Sequence, residues 1–150
     1  MKNLVFYCLF IATVLACSIE PQPIDYGSDM CEYCHMTIVD KQHGAEIVTQ
    51  KGRAYKFDAI ECMMNYRKTI DDSTVKFYLI NDYNEPGTLV DATASTFLIS
   101  ENIPSPMGAF LSGTISHDDA VKLQSVNDGT LYTWNELTSY FKDTEGVINH

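Results

Sequence analysis

Residues 29–36 read Asp29-Met30-Cys31-Glu32-Tyr33-Cys34-His35-Met36. Two thiols stand at C-x-x-C spacing, with a thioether on either side and an imidazole between Cys34 and Met36. Four chemistries fit. A structural disulfide suits an oxidising compartment. A thiol–disulfide oxidoreductase would use Cys31 and Cys34, but it needs a thiol acidified at a helix N-terminus after a strand. Here a tether precedes the motif, and the residues after it are β-prone. Zinc takes thiolate and imidazole in closed sites, often from two C-x-x-C pairs, and has no use for methionine. Cu(I) is soft and selects thiolate and thioether, which suits two cysteines bracketed by Met30 and Met36. Met107 stands out in the same way. It lies in a Pro-Met-Gly loop, where core packing is least expected. Met63 and Met64 fit the ordinary use of methionine as a flexible core filler.

These residues must be held by a small body. The chain has 150 residues and a formal net charge of −10, with 45% hydrophobic residues. That length suits one domain or two small repeated units. The acidic balance argues against nucleic-acid binding, which needs basic surface. The N-terminus carries Lys2 and then an apolar run ending Leu15-Ala16-Cys17. The run has the layout of a secretory signal and is too short for a spanning helix. Small residues before a cysteine at this point resemble the bacterial lipoprotein box. Residues 1–16 are therefore expected to be a signal peptide, Cys17 the lipidated residue, and 17–28 a polar, Pro-containing tether. Cleavage removes Lys2 and Cys8. It leaves Cys31, Cys34 and Cys62 as thiols, an odd number that cannot all pair internally.

The hydrophobic periodicity gives the element order. Glu46–Thr49 and Ala54–Phe57 read as a hairpin about Lys51-Gly52. Asp58 is expected to cap a helix, with Glu61 as its reciprocal partner. Ile60, Met63, Met64 and Ile70 share that helix's apolar face, and Cys62 falls off it, either flanking the site or as a lone surface thiol. Val75–Ile80 is the clearest strand. Thr37–Val39 is a short β-prone run. The second half is a weaker echo. Thr88–Ala92 and Thr96–Ile99 read as strands, and 104–108 as a loop. A helix runs from the Ser116 cap to about Val126, a short strand follows at Leu131-Tyr132, and Trp134–Phe141 closes the chain. His43 and His117 read as turn and cap residues, and His150 is terminal.

In this order the lipoprotein box, Met30-Cys31-x-x-Cys34-x-Met36, Phe57-Asp58-Ala59-Ile60-Glu61-Cys62-Met63, Val90-Asp91-Ala92, Pro106-Met107-Gly108 and Asp118-Asp119-Ala120 resemble the NosL family, the accessory lipoproteins of nitrous oxide reductase. The resemblance spans essentially the whole mature chain. It implies an α+β fold of two related β-β-α-β units packed in one compact body after a lipoprotein signal and tether. The units would be 29–86, with the Cys/Met cluster, and 87–150. It implies a Cu(I) carrier, not an enzyme, at the periplasmic side of the cell envelope. The carrier would be held by lipid to the inner or the outer membrane.

The implied copper recipient is nitrous oxide reductase, with envelope copper-delivery proteins or an ABC transporter as further partners. The carried-over ligands are Cys34, Met36 and Met107. Cys31 matches only members with two cysteines, and Cys62 matches one branch. The position after the second cysteine is often glycine in relatives and here is His35. Met30, His35 and Cys62 are thus the weaker metal candidates. The rival readings are an envelope thiol–disulfide oxidoreductase using Cys31 and Cys34, and a copper storage or sensing lipoprotein.

Overall fold

The computed structural model describes residues 18–144. The signal segment, Cys17 and His150 lie outside the described residues. The strand β1 (Ala45–Thr49) turns at Lys51-Gly52 into β2 (Ala54–Phe57), and α1 (Ile60–Arg67) leads to β3 (Val75–Asn81). After β4 (Leu89–Asp91) the pattern repeats as β5 (Thr96–Ile99), β6 (Leu111–Thr114), α2 (His117–Asn127) and β7 (Thr130–Thr133), and α3 (Trp134–Asp143) closes the body. The first sheet has the order β2-β1-β3-β4 and the second β6-β5-β7, with antiparallel pairing throughout. Each unit is thus a β-β-α-β element whose first strand lies between the other two. The repeat expected from the element order is present in the topology.

Several expectations are corrected in detail. The β4 strand pairs with β3 (Leu79 opposite Asp91), so it completes the first sheet and does not open the second unit. Thr37–Val39 forms no strand. Thr37 makes one isolated bridge with Met30, and Ile38 is buried as a core residue. The sequence reading missed β6, whose Leu111-Ser112-Gly113-Thr114 lacks β-branched alternation. Its place is set by contact: a Cβ on Gly113 would stand 2.4 Å from Ile80 Cδ1 and 3.1 Å from the Phe97 ring. The missing side chain is what lets the two sheets approach.

Of residues 17–28 read as a tether, the stretch from Gln22 onward is packed on the body. The Gln22 amide donates to Glu46 Oε1 at 2.9 Å, Lys56 Nζ donates to the Pro23 carbonyl at 2.8 Å, and Asn81 donates to the Tyr26 hydroxyl at 2.6 Å. Ile24 is buried. These contacts cover the outer face of β1, whose first four residues are all buried.

The α1 helix is enclosed on all sides, with Ile60 through Asn65 buried in succession. It packs on β1 and β2, on β6 and on α3. Its N-cap is Ala59, with no side-chain cap, so the expected Asp58–Glu61 capping box is absent. Both carboxylates are diverted to tertiary contacts, described below. The other helices begin as read. Ser116 accepts from the Asp119 amide, and Thr133 with Glu136 forms a full capping box on α3. His43 is more than a turn residue. Its ring bonds Asp40 Oδ2 at 3.0 Å and Ser112 Oγ at 3.2 Å, which ties the first unit to β6. His117 opens α2 and contacts Thr96 Oγ1.

Candidate metal centre

A short hairpin carries Cys31 and Cys34. The Cys31 amide donates to the Met36 carbonyl at 2.8 Å, and the His35 amide to the Cys31 carbonyl at 3.0 Å. His35 closes the turn at a φ of 62°, the left-handed region that glycine enters without a Cβ penalty. The hairpin is docked on β2 through the Glu32 amide and the Lys56 carbonyl, 2.9 Å apart. At its base Lys56 Nζ lies 2.6 Å from Asp29 Oδ2, and that bond lowers the Asp29 pKa. The end of β2 brings Asp58 under the hairpin, and the first turn of α1 brings Cys62.

Four ligand atoms result. The sulfurs of Cys31, Cys34 and Cys62 and a carboxylate oxygen of Asp58 all lie within 4.8 Å of one another. The cysteines are free thiols. Cys31 is 1% and Cys62 0% exposed, whereas Cys34 is half-buried and forms the open edge. The Cys34 thiol donates to Asp58 Oδ1 at 3.3 Å.

Three thiols so close cannot ionise independently. A hydrogen bond from Cys62 draws the Cys31 thiol down to about 7, against the cost of burial. Burial pushes Cys34 up to about 12, with the Cys31 sulfur and the Asp58 charge adding to it. Cys62 is raised because it donates to Cys31, and burial raises it further. The apo site therefore holds one readily formed thiolate beside two retained protons. A soft cation replaces those protons, so binding strengthens as pH rises.

The other sequence candidates differ in exposure. Met36 is 46% and Met30 61% exposed, at the mouth and the base of the hairpin. The Met36 amide also faces the Cys34 sulfur. His35 is exposed and outside the four-atom cluster. Met107 is half-buried and packs against the core. Its loop is fastened to α1, because Ser105 donates a hydrogen bond to Glu61, the residue before Cys62. Cys62 is therefore no surface thiol. Sequence reasoning missed Asp58 as a candidate ligand because an aspartate before a helix reads as a cap. The Asp58-x3-Cys62 spacing was the available signal.

Glu61 is fully enclosed, and its second oxygen has no hydrogen-bond partner. Burial pushes its carboxyl up to about 7, against the Ser105 bond and nearby backbone amides. The native chain then keeps this proton up to about pH 7, while the unfolded chain loses it near 4.5. Between those values the native state binds more protons, so Glu61 makes the apo protein less stable as pH rises, by about 3 kcal/mol across the window. Glu61→Gln should remove that slope. Denaturant melts of parent and variant at pH 4.5 and 7.5 measure it, and parallel pH profiles would count against a buried, titrating Glu61.

An enclosed cluster of soft ligands with one open edge, on a doubled β-β-α-β body, is an arrangement that could hold a soft metal ion. The NosL family pattern matches residues 23–141, and the chain belongs to that family. The crystal structure of the copper chaperone NosL from Shewanella denitrificans has the same fold, with a TM-score of 0.70. The identity is 19%, over 79% of this chain and 96% of the other. No curated protein sequence matches the chain.

Proposed function

We propose that this protein carries Cu(I) on the sulfurs of Cys31, Cys34 and Cys62, with Met36 and the loop Met107 as thioether ligands. The supporting observation is the convergence of three thiols at one site with a half-exposed edge, inside a NosL-family fold. Soft sulfur retains Cu(I) against loss. The open edge at Cys34 lets an incoming ligand join before a resident one leaves, which makes transfer possible. The resemblance points to nitrous oxide reductase as the recipient.

The same set of three thiols and a carboxylate is also within zinc's repertoire. The test is competition in the reduced, anaerobic protein. Cu(I) should be retained against a Cu(I) chelator, and zinc should be displaced by one equivalent of Cu(I). Zinc that resists displacement would favour a structural zinc site. The oxidoreductase reading fits less well. Its attacking thiolate must be reachable, yet the acidified Cys31 is enclosed and the half-buried Cys34 is held protonated.

Anchoring is proposed to come from lipid on Cys17. Among the described residues no helix is long and apolar enough to cross a membrane. Ile19, two residues after Cys17, already lies half-buried in a groove lined by Gln50, Val75, Lys76 and Phe77. Two residues reach at most about 7 Å. The copper site would thus work close to the bilayer, where tethering raises its effective concentration near a membrane-associated partner. Cys17→Ser should shift the protein from the membrane to the soluble fraction or leave it unprocessed. Normal processing together with unchanged membrane association would sink this part of the reading.

A further inference from the structure

The three thiols are not equivalent. Cys34 faces outward, and its hydrogen bond goes to Asp58. Cys31 and Cys62 lie behind it, both enclosed, with their sulfurs within 4.8 Å of each other. One thiol is thus tied to a carboxylate at the mouth, and two lie together inside. Copper met in an oxidising compartment is largely Cu(II), whereas thiolate–thioether sites hold Cu(I). A carrier with this partition contains both a holder and a reductant.

We propose that the buried Cys31/Cys62 pair reduces incoming Cu(II), with Cys34 and its methionine partners holding the Cu(I) formed until re-reduction restores the three-thiol set. The inference rests on the copper-binding reading. Two Cu(II) ions each accept one electron. Two S–H bonds break, one bond forms between the Cys31 and Cys62 sulfurs, and two protons leave to solvent. The products are two Cu(I), one retained and one released to a second acceptor, and an internal disulfide. The sulfurs start within 4.8 Å of each other. They must close to about 2 Å. Cys31 lies in a hairpin turn and Cys62 in the first turn of α1, so the approach can come from side-chain rotation and a small shift of the hairpin. The event is stoichiometric and consumes the protein's own thiols, so it is not catalysis. Re-reduction would need an envelope dithiol donor.

The test uses the processed full-length protein, fully reduced and free of oxygen. Cu(II) is added beside an excess of a chromogenic Cu(I) chelator, and the Cu(II) paramagnetic signal is followed. As the signal of two Cu(II) per chain is lost, one Cu(I) should appear on the chelator and one should stay on the protein. The protein mass should fall by two hydrogens, and peptide mapping should show a Cys31–Cys62 link. Cys34→Ser should reduce Cu(II) to the same extent with the same link, but should no longer retain Cu(I) against the chelator.

A link involving Cys34 in the parent protein, or Cu(II) left unreduced, overturns the proposal. A parallel sample receives preformed Cu(I). If Cu(I) is held but Cu(II) is not reduced, the reductant role fails and the copper carrier stands. If Cu(I) is not held, both fail. The Cys34 variant and the peptide map keep the test decisive if serine at the buried positions impairs folding.

Discussion

Cys34→Ser is expected to lower Cu(I) affinity by on the order of a hundredfold or more while leaving the fold intact. Losing only an outer-shell partner of a metal ligand already costs roughly 10–100-fold, and here the ligand itself is lost. Serine nearly matches cysteine in volume but offers a hard hydroxyl that Cu(I) does not favour. The hydroxyl can still donate to Asp58 as the thiol does at 3.3 Å, so the hairpin keeps its tie to the end of β2. Cys34 is half-buried and lies outside helix and strand, and the substitution opens no core cavity. The same change at Cys31 or Cys62 would place an extra polar group inside the core and mix stability with affinity. Thermal melting of the apo protein and competition with a Cu(I) chelator separate the two. Unchanged affinity would place copper on the buried pair alone.

Met107→Leu should lower Cu(I) affinity on the order of tenfold, with melting of the apo protein close to the parent. The Pro106-Met107-Gly108 loop is fastened to α1 by the Ser105–Glu61 hydrogen bond, one residue from Cys62. A thioether offered from this loop would complete the site across the two units. Leucine keeps the volume and removes the sulfur, and such swaps cost less than about 1.5 kcal/mol. A packing role predicts a small change in melting and none in affinity, and a ligand role predicts the reverse. Parental affinity in this variant, with binding lost in Cys34→Ser and Met36→Leu, would confine copper to the hairpin cluster.

The local chemistry was legible in the sequence. The Cys31-x-x-Cys34-x-Met36 run, the hairpin about Lys51-Gly52 and the cap at Ser116 depend on neighbours within a few residues. Spacing, turn propensity and side-chain type suffice to read such features. The β-β-α-β order of the first unit was readable for the same reason, whereas the second was read from β4 and β5 in place of β5 and β6.

Tertiary structure decided the completion of the site. A helical wheel assumes one wet face, and α1 has none from Ile60 to Asn65. Cys62 could not be told from a surface thiol, nor Glu61 from a capping residue, until β6 and α3 covered that side. Asp58 likewise reads as a cap because short-range bonds are the default for aspartate before a helix. The docked hairpin instead supplies the Cys34 thiol as a partner 24 positions away in sequence. The missed strand β6 follows the same rule, because Gly113 has no propensity to announce it. What fixes that position is the space taken by Ile80 and Phe97 from other strands, and no local pattern records that space.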